Sequence, residues 1–137
     1  MGLHVQITDT NAYIPKQNLE IAYQKMCALN VTHDRKKRGG AWSMGKQTEK
    51  WFSWMDSNYP QTCKDAQAVL EALGFGTEYD SHGNLSICGY DSKTGQEELF
   101  MEAIKNEAIG KIDWVDEYGG IYTTEFSGVE IADTENN

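Results

Sequence analysis

At 137 residues the chain is sized for one domain, and 39% hydrophobic residues, including four Trp, seven Tyr and four Phe, suffice for a core. No apolar run reaches the roughly 18–20 residues that a membrane-crossing helix needs. A net charge of −9 argues against broad binding to duplex DNA, whose phosphates would repel the body.

The charge is unevenly spread. Residues 35–50 hold six Lys/Arg against Glu49, a net +5, whereas residues 65–137 hold 16 Asp/Glu against three Lys, a net −13. The opening Met1-Gly2-Leu3-His4-Val5 has neither a basic nor an apolar signal region, so no secretory signal is expected. Three cysteines (Cys27, Cys63, Cys88) without a CxxC disfavour a disulfide framework or zinc module and suit a reducing compartment.

Leu3 to Ile7 alternates apolar and polar residues, which predicts a half-buried strand, and Asp9-Thr10-Asn11 reads as a turn. A helix is expected from about Pro15, with Leu19, Ala22, Tyr23, Met26 and Leu29 as its stripe and Asn30 as its stop. Residues 31–47 lack an apolar period and read as a long loop. Thr48 to Met55 predicts a short aromatic helix, broken by Asn58-Tyr59-Pro60. Thr62 with Asp65 resembles a capping box for a helix whose apolar face is Ala66, Val69, Leu70 and Leu73, ended by Gly74.

Thr77-Glu78-Tyr79 and Leu85 to Cys88 flank Asp80-Ser81-His82-Gly83-Asn84, a hairpin signature. Thr94 with Glu97 repeats the capping pattern before a helix that turns Leu99, Phe100, Ala103 and Ile104 inward, with Gly110 as its end. Ile112 and Trp114, then Ile121 to Phe126, form a second hairpin around Glu117-Tyr118-Gly119-Gly120, and Val129-Glu130-Ile131 reads as a last strand. The order gives an α+β fold, a mostly antiparallel sheet with helices on one face. A ferredoxin-like arrangement with an inserted basic loop and aromatic helix fits it. Residues 1–131 form the single domain, and residues 132–137 a flexible acidic and polar tail.

The sharpest chemical feature is Arg35-Lys36-Lys37-Arg38-Gly39-Gly40-Ala41-Trp42-Ser43. Arg and Lys neutralise phosphate, paired glycines let main-chain N–H groups approach an anion, and Trp42 offers a flat face to a base. Lys46 and Trp51 extend the set, and the plain alternative is a solvated basic loop. Gly40 to Lys46 matches seven positions of a phosphate-binding NTPase loop, but Gln47 stands where Ser or Thr is needed and basic residues replace the preceding buried strand. That match is coincidental. Trp51, Trp54 and Met55 share a helical face suited to core packing or to a pocket wall.

Catalytic patterns are thin. His33 is the one candidate base beside the loop, while His4 sits in a strand and His82 at a hairpin tip. Glu97, Glu98 and Glu102 read as water-facing residues favouring a helix N-terminus. Glu78, Asp80, Asp113, Asp116, Glu117, Glu125 and Glu130 make an acidic surface that serves solubility or meets a basic partner.

Lys50-Trp51-Phe52-Ser53-Trp54-Met55 with Asn58-Tyr59-Pro60, and Gly89 to Phe100 (GYDSKTGQEELF), resemble small acidic accessory proteins of tailed phages and prophages. The likeness runs from about Tyr23 to Phe126 and carries no settled activity. It implies an accessory protein acting in the cytoplasm of an infected bacterium, of a kind often used in counter-defence. With the basic loop, the expected function is non-catalytic sequestration of a phosphate-containing nucleotide immune signal. No cofactor is expected, and a largely enclosed pocket suits a homo-oligomer. The alternatives are an inhibitor that binds a host defence protein through its acidic or aromatic surface, and a nucleotide phosphodiesterase using His33.

Overall fold

The computed structural model describes residues 4–32, 42–43, 46–47, 58–93 and 97–128. Seven strands make one antiparallel sheet: β1 (His4–Thr10), β2 (Tyr13–Ile14), β5 (Gly76–Tyr79), β6 (Leu85–Gly89), β7 (Asp91–Lys93), β8 (Ile109–Asp116) and β9 (Ile121–Ser127). Two short strands, β3 (Trp42–Ser43) and β4 (Lys46–Gln47), pair with each other apart from it. The helices are α1 (Leu19–Thr32), α2 (Tyr59–Thr62), α3 (Ala66–Leu73) and α4 (Glu97–Ala103), with a 3-10 turn at Lys16–Asn18 ahead of α1.

Several strands are halves of longer ones. β2 continues β1 past Asn11 and Ala12, because β1 pairs with the Ile112–Asp116 end of β8 and Tyr13 pairs with Ile109. In the same way β7 continues β6 through Tyr90, whose carbonyl accepts from Ile7 N at 2.9 Å. The sheet then reads β5, β6/β7, β1/β2, β8, β9. Every neighbour is antiparallel, so β1 runs parallel to β5 across β6, and β7 runs parallel to β8 across β1. This is the strand order of the ferredoxin-like split βαβ fold, with β9 added outside β8. α1 to α3 fill the first crossover and α4 the second.

Register and burial put the core on one face. Val5, Ile14, Leu85, Ile87, Ile112 and Trp114 are buried against Ala22, Met26 and Leu29 of α1, Val69, Leu70 and Leu73 of α3, and Phe100 of α4. Trp114 stacks on Tyr122 at 5.9 Å and meets Phe75 and Tyr90 edge-on, forming an aromatic cluster near one end of the sheet. The opposite face of the sheet carries Gln6, Asp9, Glu78, Asp113, Thr123 and Glu125 by the same registers.

Several local expectations are corrected. Asp9 and Thr10 lie in β1 rather than a turn, because pairing with β8 continues past a register shift between Ile7 and Asp9. Asn58-Tyr59-Pro60, expected to end the aromatic helix, opens a helix of its own, α2, where proline's missing N–H would be unpaired in any case. Asp65, not Thr62, caps α3, accepting from Ala68 N at 2.9 Å. Gly74 does end α3, at φ +114°. Gly110 does not end α4; it lies in β8 at φ +101°, where a Cβ would come within 2.6 Å of Asn11 Oδ1. The expected aromatic helix (48–55), the capping residue Thr94, the last strand (129–131) and the tail lie outside the described residues.

Candidate functional site

The basic segment leaves the end of α1 at Thr32 and rejoins the described chain at Asn58. Its two flanks are fastened by reciprocal tyrosine hydrogen bonds. Tyr59 of α2, fully buried, donates its hydroxyl to the Met26 carbonyl of α1 at 2.5 Å. Tyr23 of α1 donates its own to the Cys63 carbonyl, at the C-terminal end of α2, at 2.7 Å. Tyr59 also packs on Phe100 of α4, with ring centroids 5.6 Å apart. Burial, then the neighbouring Cys27 and Cys63, push the Tyr59 hydroxyl well above the usual phenol range, so it remains a donor. The segment is therefore carried between two points held to the core.

Within the segment, Trp42 pairs with Gln47 and Ser43 with Lys46 across β3 and β4. An NTPase phosphate loop leads from a buried strand through its glycine-rich turn into a helix. Trp42–Ser43 instead pairs antiparallel with Lys46–Gln47, so Lys46 and Gln47 stand in a strand where that loop would open its helix. Of the expected ligand-binding residues, Ser43 and Lys46 are brought opposite each other, with Trp42 one position along. Arg35, Lys36, Lys37, Arg38, Gly39, Gly40 and Trp51 lie outside the described residues, as does His33.

The acidic residues divide by task. Asp80 accepts from His82 N at 2.8 Å, from Asn84 N at 3.0 Å and from Asn84 Nδ2, closing the β5–β6 turn. The slight desolvation of its carboxyl is outweighed by these bonds, which hold it below the usual range. Asp116 accepts from Tyr118 N and Gly120 N at 2.9 Å and closes the β8–β9 turn. Glu117 takes the His4 N–H at 2.7 Å. These three acids hold the scaffold, whereas Glu78, Asp113 and Glu125 share the open sheet face. Glu130 lies outside the described residues.

Glu97 departs from its expected water-facing position. It is 1% exposed, while Glu98 and Glu102 are exposed. Burial first and the Glu97 carboxylate second push the Tyr90 hydroxyl up, and the same two causes, with Glu98 and Asp116, push Tyr122 up to about 12. No periodic signal marks this residue, since the surroundings of a first-turn carboxylate are set by tertiary packing.

Among the other reactive groups, His4 Nε2 pairs closely with Asp91 Oδ1 across β1 and β7 on the exposed face. Burial pushes the Cys27 thiol up, and burial with Glu78 does the same to Cys88, so both favour the protonated form at neutral pH. Among the described residues no group of three or more His, Cys, Asp or Glu side chains is placed to hold a metal ion. Nor, among them, is any helix long and apolar enough to cross a membrane. No protein-family model matches the chain, and none of the curated proteins or solved structures matches it either.

Proposed function

We propose that this chain is a non-catalytic binding protein that captures a phosphate-containing nucleotide signal through its basic segment, as a counter-defence factor in an infected bacterial cell. The observation that carries this reading is the concentration of charge: residues 35–50 net +5 in a chain of −9, on a span whose flanks are fastened to the core. Arg35, Lys36, Lys37 and Arg38 neutralise phosphate, and Gly39 and Gly40 supply main-chain donors. Ser43 and Lys46, in register across β3 and β4, belong to the same set. Trp42 and Trp51 stack on the base. The fastened flanks fix where the segment leaves and rejoins the core. The phage setting rests on the resemblance of the Lys50–Met55 and Gly89–Phe100 strings.

A second reading, an inhibitor docking on a host defence protein, draws support from Glu78, Asp113 and Glu125 on the open sheet face. Thermal unfolding against mono-, di- and cyclic nucleotides, with recovered ligand weighed by mass spectrometry, separates the readings. A stabilised protein and intact ligand fit sequestration, and a hydrolysed ligand identifies a phosphodiesterase. The absence of any shift leaves a protein target.

A further inference from the structure

We infer that strand β9 is an association edge, and that its occupant is β9 of a second copy of this chain, paired antiparallel about a two-fold axis at Thr123. The hydrogen-bond phase of the β8–β9 hairpin decides which main-chain groups of β9 face outward. Asp116 N donates to Gly120 O at 2.8 Å, which makes residues 116 and 120 a bonded pair. Bonded pairs alternate along an antiparallel ladder, so Trp114 with Tyr122 and Ile112 with Thr124 follow. Ile121, Thr123 and Glu125 therefore turn their main-chain N–H and C=O groups away from β8. Lys111, opposite Glu125, confirms the phase on the far side of β8 by accepting from Asn11 N at 3.1 Å.

Among the described residues nothing pairs with that outer row. It ends at Ser127, whose N–H reaches Lys105 O at 2.9 Å. Sheet edges are normally guarded by Pro, Lys, a bulge or brevity. β9 has no proline, lysine or bulge and a single charge, Glu125: it is Ile-Tyr-Thr-Thr-Glu-Phe-Ser, in unbroken register with β8 over seven residues. The opposite edge, β5, is guarded, with four residues and a register shift between Gly76 and Thr77. Beside the open row stand two of the most exposed large apolar side chains, Tyr118 at 82% and Ile121 at 79%.

The row also complements itself. With Thr123 opposite Thr123 of the second copy, Ile121 meets Glu125 and Tyr122 meets Thr124, so no like charges face one another. The half-buried Tyr122 extends the aromatic inner face across the junction. Such an isologous contact closes as a dimer rather than growing into a fibre. Because each copy carries −9, screening favours association, and the dimer strengthens with added salt. A contact between the basic segment and the acidic face would weaken instead.

Sedimentation velocity and light scattering across salt and protein concentration test this, using the full chain and Thr123→Pro. Proline is tolerated on an edge whose N–H faces outward but cannot donate across the axis. The expected mass is twice 15.4 kDa for the parent chain, rising in population with salt, and 15.4 kDa for the folded Thr123→Pro variant. Hydrogen exchange gives a reading that does not depend on the variant folding: the Ile121, Thr123 and Glu125 amides gain protection as the parent chain is concentrated. A monomer at every concentration and salt overturns the inference. So does a dimer whose three amides exchange freely, or one that the folded Thr123→Pro variant retains.

Discussion

Tyr59 and Met26 are joined by a 2.5 Å hydrogen bond from a fully buried hydroxyl to a helical carbonyl, while Tyr23 of the same helix reaches back to Cys63. The two bonds run in opposite directions between α1 and α2, across the gap that the basic segment spans. Here the sequence spends two aromatic residues on holding that segment's ends.

Tyr59→Phe removes one of those bonds while keeping the ring on Phe100. The Met26 carbonyl keeps its place in the helical ladder of α1, so losing the tyrosine bond is expected to cost about 0.5–1.5 kcal/mol, read from urea unfolding. The circular dichroism spectrum should remain that of the parent. An unchanged midpoint would show that the bond does not hold α2 to α1.

Alkaline pH should destabilise the fold. Burial raises the hydroxyls of Tyr59 and Tyr90 in the folded chain above their ordinary value of 10.0, and Tyr122 up to about 12. The unfolded chain therefore loses these protons first. Their contribution is complete below pH 10 and is lost as pH rises through the folded values, by up to about 1.4 kcal/mol per pH unit for each tyrosine. Melting temperatures measured from about pH 8 to about 12 should fall beyond pH 10, less steeply in Tyr59→Phe.

Gly110→Ala places a Cβ within 2.6 Å of Asn11 Oδ1 and 2.7 Å of the Asn11 carbonyl, at a φ of +101°. The junction of β1 and β2 must shift to admit it, at an expected cost of about 2 kcal/mol. Denaturant titration checks this, and a loss below a few tenths would contradict the close approach.

Asp65→Ala should cost about 1 kcal/mol by uncapping α3, whereas Thr62→Ala should be close to neutral. Paired unfolding curves distinguish the two capping assignments directly.

Much of the scaffold was legible in the sequence. The face of α3, its Gly74 stop and both hairpins follow from periodicity and turn chemistry, which are local. The errors fall where tertiary contact overrides a local cue. Asp9 and Thr10 are turn formers by type, yet pairing with β8 keeps them in a strand. Gly110 imitates a helix stop because a glycine needed for close approach to Asn11 looks the same in sequence. Glu97 is charged and stands in the first turn of a helix, but its burial depends on residues far along the chain. The candidate site was legible as composition: a basic run with two glycines and a tryptophan. Its anchoring was not, because Tyr23 and Tyr59 are separated by 35 intervening residues and neither lies in the basic run.

The most direct measurement is equilibrium binding of a nucleotide panel to the parent chain, to Arg35→Glu/Arg38→Glu, and to Asp113→Lys/Glu125→Lys. The expected result is saturable binding of intact ligand by the parent and by the Asp113/Glu125 variant. Loss of binding only in the Arg35/Arg38 variant completes the prediction, with affinity falling as salt is raised. Binding that survives reversal of Arg35 and Arg38, or a ligand recovered hydrolysed, would contradict it.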